Sequence, residues 1–203
     1  MGLNLINLYD LLSTQEEEKV KELLSSFSCN NQSKGANDVE YFLHNKAIEF
    51  EKVGLSKTYL VMSTYRQAPF IAGYFSLSSK SLVIPKKHYQ KLNISMKKRL
   101  MSFGAKSDLE NYQTTGFLLG QLGKNCSTIA QKAESVTGEE LLALVYKTVK
   151  QIHMLVGGRI LYLECENNPK IIQFYIKNGF ALLNEYETPN GLSVFVKKIE
   201  HIF

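Results

Sequence analysis

Cysteine is scarce and scattered in this 203-residue chain: Cys29, Cys126 and Cys165 are far apart and form no CxxC pair. That excludes a disulfide framework and a zinc site of the usual spacing, and it suits a reducing compartment. A run of about eighteen apolar residues, the length of a membrane-spanning helix, is missing as well. The opening MGLNLINLYDLLSTQEEE lacks the charged start of a secretory leader and reaches acidic residues early. Gly2 follows Met1, but Ile6 stands where a myristoylation signal needs serine or threonine. These absences set the expectation of a soluble, cytoplasmic protein. There is no GxGxxG, which argues against a dinucleotide-binding Rossmann domain, and no GxSxG elbow, which argues against a Ser-His-Asp hydrolase. No internal repeat or long low-complexity tract interrupts the chain.

Acidic residues are absent from 80 to 101, where Lys80, Lys86, Lys87, Lys91, Lys97, Lys98 and Arg99 supply seven positive charges. Because the whole chain carries only +5, the remainder is slightly acidic and the basic character is local. An apolar content of 44% and a charged content of 21% are those of an ordinary globular protein with one core.

Residues 13 to 27 open with a T-x-x-E capping box at Thr14 and Glu17, and Val20, Leu23, Leu24 and Phe27 follow at helical spacing. A small polar loop, 28 to 37, leads to a second expected helix over DVEYFLHNKAIEFEKVG, stopped by Gly54. Thr58 to Ser63 and Phe70 to Leu77 are β-branched and aromatic runs that predict an antiparallel hairpin. Within the basic stretch, KLNISMKKRLMSFG spaces Leu92, Met96 and Leu100 as a short helix would. Gly116 to Lys124, GFLLGQLGK, is an apolar strand whose three glycines suit a bulge or the close approach of another backbone or a ligand. After a polar stretch, Asn125 to Val136, the capping box of Thr137 and Glu140 opens the strongest helix, ended by Gly157 and Gly158. ILYLEC, 160 to 165, reads as a strand covered on both faces, with a parallel neighbour. NNPKIIQFYIKNGF then packs Asn168 as N-cap, Pro169 at the first turn and Gly179 as stop around a short apolar helix carrying Tyr175. Two last strands, FALLNEYE and LSVFVKKI, are joined through an Asn-Gly turn. The order predicts one βαβ unit within an otherwise antiparallel sheet.

That order, together with FLLGQLGKN, the capped helix at TGEELL and ECENNPKIIQFYIKNGF, resembles the GNAT family of acetyl-CoA-dependent N-acetyltransferases over roughly residues 38 to 199. The resemblance implies an α/β fold in which a central, mostly antiparallel sheet contains one splayed parallel strand pair. It also implies a single domain over 1 to 203, with an N-terminal helix and loop at 1 to 37 and a basic insertion at 80 to 114. Acetyl-CoA is the implied cosubstrate, without a metal. Its pantetheine arm would lie along Leu122, Gly123 and Lys124, and its pyrophosphate at the loop reaching Thr137, Gly138 and Glu139. Helix N-termini and open strand edges offer the N-H groups such a ligand needs. The family's phosphate signature, (Gln/Arg)-x-x-Gly-x-(Gly/Ala), falls on Ala133, Val136 and Gly138, so only its last position matches. Gln131 or Lys132 would replace the missing side chain if the loop is longer.

Acetyl transfer needs an oxyanion donor, a proton for sulfur and a base for nitrogen. The first falls to the backbone N-H of Lys124 or a neighbour and, by the resemblance, the second to Tyr175, for which packing alone is the competing account. Asn168 is placed for the pantetheine arm, or serves only as a cap. Glu164 and Glu166 end the splayed strand and are base candidates, with His88 and His44 eligible by chemistry alone. The acceptor is an amine of unknown identity. Two alternatives stand beside it: a toxin-type GNAT protein acetylating aminoacyl-tRNA, and a non-catalytic acyl-CoA- or RNA-binding module. For tRNA or another polyanion, Lys86, Lys87, Lys91, Lys97, Lys98 and Arg99 would be the contact, though such runs are commonly just solvated faces; a homodimer is also compatible. Asn125 stands where those toxins commonly have aspartate.

Overall fold

The computed structural model describes residues 2–29, 33–101, 105–106, 111–134 and 136–202. In chain order its elements are β1 (Asn4–Asn7), α1 (Leu8–Thr14), α2 (Glu17–Ser25), α3 (Lys34–Asn45), α4 (Ala47–Lys52), β2 (Lys57–Tyr65) and β3 (Ala68–Ser79). Next come β4 (Leu82–Ile84), α5 (Lys86–Lys91), α6 (Ile94–Met101), β5 (Ala105–Lys106), β6 (Tyr112–Thr114) and β7 (Gly116–Lys124). The last are α7 (Thr128–Ala133), α8 (Gly138–Val156), β8 (Ile160–Cys165), α9 (Pro169–Lys177), β9 (Ala181–Glu187) and β10 (Ser193–Lys198), before a 3-10 turn. The chain divides into two units, Met1–Ser78 with Gly120–Val145 and Ser79–Leu119 with Tyr146–Phe203.

In the first unit β1 pairs with β2, β2 with β3, and β3 neighbours β7. The strand β1 was not expected: Asn4 to Asn7 lie antiparallel to Met62 to Tyr59, after which the Asn7 side chain caps α1 by accepting from the Tyr9 N-H at 2.8 Å. One expected helix over 13 to 27 is therefore two. Thr14 closes α1, its hydroxyl donating back to the Asp10 carbonyl at 2.8 Å, so its capping box with Glu17 does not form. The second expected helix also divides, at Lys46, whose φ of −122° is outside the helical range. It starts earlier than the sequence suggested, because the Ser33 side chain accepts from the Ala36 N-H and caps α3 inside the expected loop. Part of that loop, 30–32, lies outside the described residues. The β2–β3 hairpin turns on Arg66 and Gln67, both at positive φ, which is the two-residue geometry that matches strand twist. Leu8, Val20, Leu24, Leu43, Leu60 and Ile71 are buried as its core.

The opening of α8 is as expected. Glu140 accepts from the Thr137 N-H at 2.7 Å and from its hydroxyl at 2.9 Å, while the Glu140 N-H donates to the Thr137 hydroxyl oxygen at 3.2 Å. Before it, the polar stretch holds a helix the sequence did not suggest, α7, which ends at Glu134 in the left-handed region.

In the second unit the order is β7, β8, β10, β9, so the last strand enters between its two predecessors. β7 and β8 are parallel, and β10 is antiparallel to both β8 and β9. The basic insertion belongs to the core of this unit. Its β4, β6 and β5 form a small antiparallel sheet, and Leu82, Ile84, Leu92, Leu100 and Tyr112 are buried with Ile160, Tyr162, Leu183, Val194 and Val196. Each such leucine stabilises by about 2 kcal/mol, enough in sum to fix the segment on the sheet. The end of its expected helix, 102–104, lies outside the described residues, as do 107–110.

Two outcomes follow. A Cβ at position 116 would lie 2.5 Å from the Ile160 carbonyl oxygen, whereas one at position 120 would meet only the Ser76 hydroxyl oxygen at 3.2 Å. Gly116→Ala should therefore destabilise by roughly 1–3 kcal/mol in thermal unfolding, and Gly120→Ala by much less. The Thr137 amide and hydroxyl hold the Glu140 carboxyl below its ordinary value of 4.5. A depressed carboxyl stabilises above that value and loses the contribution as pH falls through the folded one. Amide protection factors in the first turn of α8, taken against the intrinsic exchange rate at each pH, should fall in that acid window, and Glu140→Gln should abolish the dependence.

Candidate functional site

The parallel ladder between β7 and β8 is short. It joins Gly116 to Ile160, Phe117 to Leu161 and Leu118 to Tyr162, and no further pair is formed among the described residues. Both strands nevertheless continue, β7 to Lys124 and β8 to Cys165. Beyond the ladder β8 keeps β10 as its partner, with Leu163, Glu164 and Cys165 opposite Phe195, Val194 and Ser193. This is the splayed pair expected from the sequence.

The expected cofactor residues of the first unit gather around the end of β7 and the opening of α8. Leu122 is half-buried, Gly123 buried and Lys124 exposed. A Cβ on Gly123 would sit 2.6 Å from Val39 and 3.0 Å from Phe27, so this glycine admits packed side chains. Gln131 and Lys132 are exposed on α7 and not on an open loop, and the Gln131 amide donates to the Cys126 carbonyl at 2.7 Å within its own turn. Val136 is buried as a core side chain. At Thr137, Gly138 and Glu139 the chain enters α8, where the Glu140 carboxylate already accepts the Thr137 N-H that an anion would use. Lys124 is near enough to lower the Glu140 pKa further, which places one cation beside this turn.

Asn125, one residue past β7, ties this region together. Its amide nitrogen donates to the Ile71 carbonyl at 2.6 Å, its oxygen accepts from the Ser28 and Ser127 N-H groups at 3.2 and 2.8 Å, and its own N-H donates to Ala72 at 2.9 Å. Its side-chain oxygen and nitrogen and its backbone N-H are thus paired although the residue is buried, as burial demands. An aspartate could not donate to Ile71, which gives the asparagine a physical reason.

In the second unit Tyr175 is 8% exposed, on the face of α9 that meets the sheet. Phe174, Phe180 and Phe195 surround its ring at centroid distances of 5.1, 5.5 and 5.8 Å. No described residue hydrogen-bonds its hydroxyl. Burial first, then the nearby Cys165 and Tyr146, push its pKa far above the ordinary phenol, so it holds its proton at neutral pH. Asn168 caps α9 by accepting from the Lys170 N-H at 3.0 Å, which leaves its side-chain amide nitrogen outside the cap.

Glu164 is exposed and lies opposite Val194, hence on the face of the sheet away from Phe195 and Tyr175. There it raises the pKa of Tyr186 after burial has done so, and the His88 ring of α5 meets Tyr186 at 5.3 Å. Two base candidates separated by 76 residues in sequence thus flank one tyrosine. Of the other two candidates, Glu166 is half-buried just past the end of β8, and His44 instead bonds the Phe27 carbonyl at 2.9 Å in the first unit. Lys86, Lys87, Lys91 and Lys98 are exposed, and Lys97 is half-buried against Tyr89, donating to the Gln90 carbonyl at 2.6 Å. Arg99 lies on α6, and its side chain is outside the described set.

No protein-family model matches the chain, and no curated protein matches it significantly. Solved structures do share its fold. A bacterial toxin superposes with a TM-score of 0.66 at 17% identity, over 99% of this chain and 93% of that one. The toxin AtaT complexed with acetyl-methionyl-tRNAfMet does so with 0.65 at 16% identity, over 99% and 97%. An AtaT toxin with a tyrosine-to-phenylalanine change, bound to the C-terminus of the antitoxin AtaR and to acetyl-CoA, gives 0.62 at 15% identity, over 98% and 95%. The mixed sheet with one parallel pair is thus the GNAT-like arrangement found in these toxins.

Proposed function

We propose that the protein is an acetyl-CoA-dependent N-acetyltransferase whose acceptor is the amino group of an aminoacyl-tRNA. The observation that carries the reading is the parallel ladder that stops at Leu118 and Tyr162 while both strands run on. A strand edge without its partner offers N-H and C=O groups at the spacing of an amide-rich arm such as pantetheine. For the acceptor, support comes from the exposed lysines of α5 and α6 and from a fold shared with AtaT complexed with acetyl-methionyl-tRNAfMet.

In the reaction a neutral amine attacks the thioester carbonyl, the C-N bond forms, the C-S bond breaks and sulfur receives a proton. Tyr175 is assigned that proton: its phenol is protonated at neutral pH and can donate to sulfur as the C-S bond breaks. The Lys124 N-H is assigned to the carbonyl oxygen, and Glu164 with His88 to the proton released from nitrogen. Phosphates are assigned to the Gly138 amide, with Lys124 and Lys132 supplying charge, because Glu140 occupies the preceding N-H.

Purified protein mixed with acetyl-CoA and methionyl-tRNA should release free thiol and yield acetylated tRNA. Tyr175→Phe should lower kcat by roughly 100-fold or more while leaving CoA affinity in calorimetry unchanged. Binding of CoA without thiol release would make the protein a binding module. Separately, replacing Lys97, Lys98 and Arg99 by glutamate should weaken tRNA binding and flatten its dependence on salt. Unchanged binding would remove tRNA as the acceptor.

A further inference from the structure

We propose that Lys197 and Tyr146 are positioning residues for Tyr175, an inference that rests on Tyr175 being the proton donor assigned above. The argument begins at the end of α9. The Phe180 N-H donates to the carbonyl of Tyr175 itself at 3.0 Å, and the Gly179 N-H donates to Ile176 at 3.0 Å, with Gly179 at a φ of +83°. This is a Schellman stop, and the carbonyl that closes it belongs to the residue whose hydroxyl does the chemistry. Where the stop sits therefore decides where the Tyr175 backbone sits.

Two side chains from other elements hold that stop. Lys197 Nζ, from β10, donates to the Asn178 carbonyl at 2.8 Å and to the Tyr146 hydroxyl oxygen at 3.2 Å. Tyr146, from α8, donates its hydroxyl to the same Asn178 carbonyl at 3.1 Å. The ammonium lies 4.5 Å from the centre of the Tyr146 ring, so it is held by ring and oxygens together. It also sits at the C-terminus of α9, where a positive charge suits the helix dipole. Gly179 is needed a second time here, because a Cβ would come within 3.0 Å of Lys197 Nζ.

The ring is held by the same elements. Lys197 and Phe195 are two apart on β10 and share a face. The first fixes the end of α9 and the second packs against the Tyr175 ring at 5.8 Å. Phe180 joins the two, stacked on Tyr146 at 6.4 Å and edge-on to Tyr175 at 5.5 Å. Since no described residue hydrogen-bonds the Tyr175 hydroxyl, its direction is set by ring packing and by the backbone position. A reacting group tolerates displacement of only about half an ångström, so loosening the stop should be felt at the hydroxyl.

The test uses Lys197→Met, Lys197→Arg and Tyr146→Phe in the full chain. Lys197→Met should lower kcat for thiol release by roughly 10- to 100-fold with KM for acetyl-CoA changed less than about twofold. Lys197→Arg, whose guanidinium can reach the same carbonyl, should recover part of the loss, and Tyr146→Phe should show a smaller fall of the same kind. In the protein without cosubstrate, amide exchange at Asn178 to Phe180 should be faster in Lys197→Met than in the wild type. An unchanged kcat, or a fall in proportion to the folded fraction, would overturn the proposal. If the wild type releases no thiol, the transferase reading fails, and the exchange comparison then decides the anchoring by itself.

Discussion

Backbone amides must find partners, and that requirement governs how two parallel strands can part. β7 and β8 share three register pairs and then separate, yet neither is stranded, because β7 still neighbours β3 and β8 still pairs with β10 through Cys165. Only the edges facing away from those second partners lose their ladder. Backbone satisfaction thus tolerates an opened parallel pair inside a sheet whose other neighbours are antiparallel. The close contact at Gly116, where only a missing Cβ lets the Ile160 carbonyl in, fixes the paired end.

Charge and burial are divided along the basic insertion in a way its composition hides. Leu82, Ile84, Leu92, Leu100 and Tyr112 anchor it to the face carrying Ile160, Tyr162 and Val194, while Lys86, Lys87, Lys91 and Lys98 stay in water. Under the proposed tRNA reading the two roles need each other, since a flexible arm would lose entropy on binding that a docked helix pair has already lost. His88, carried on α5, reaches Tyr186 by the same docking.

Much of the fold was legible. β7, β8, α8, α9 and the final hairpin lie where capping residues, glycine stops and apolar runs put them, because those signals act within a few residues along the chain. The failures have the same origin. Thr14 could cap the next helix or bond back into its own, and the choice depended on α1, which exists because Asn7 ends a strand paired to β2. α7 was missed since six residues carry too little periodicity. For the candidate site, Tyr175, Asn168 and Asn125 were singled out through a motif, but the contacts of Asn125, Lys197 and Tyr146 were not legible, as each acts on carbonyls far along the chain.

By itself, then, the sequence determined the local events: which residues start and stop helices, which runs are extended, and where basic charge collects. Tertiary structure decided that the last strand enters between β8 and β9, that Glu164 and Tyr175 face opposite sides of one sheet, and that a lysine closes the end of α9. Those outcomes rest on contacts between residues far apart in the chain, whose free energy appears only when the strands are ordered side by side. Propensity and periodicity, which act over one or two turns, carry no record of them.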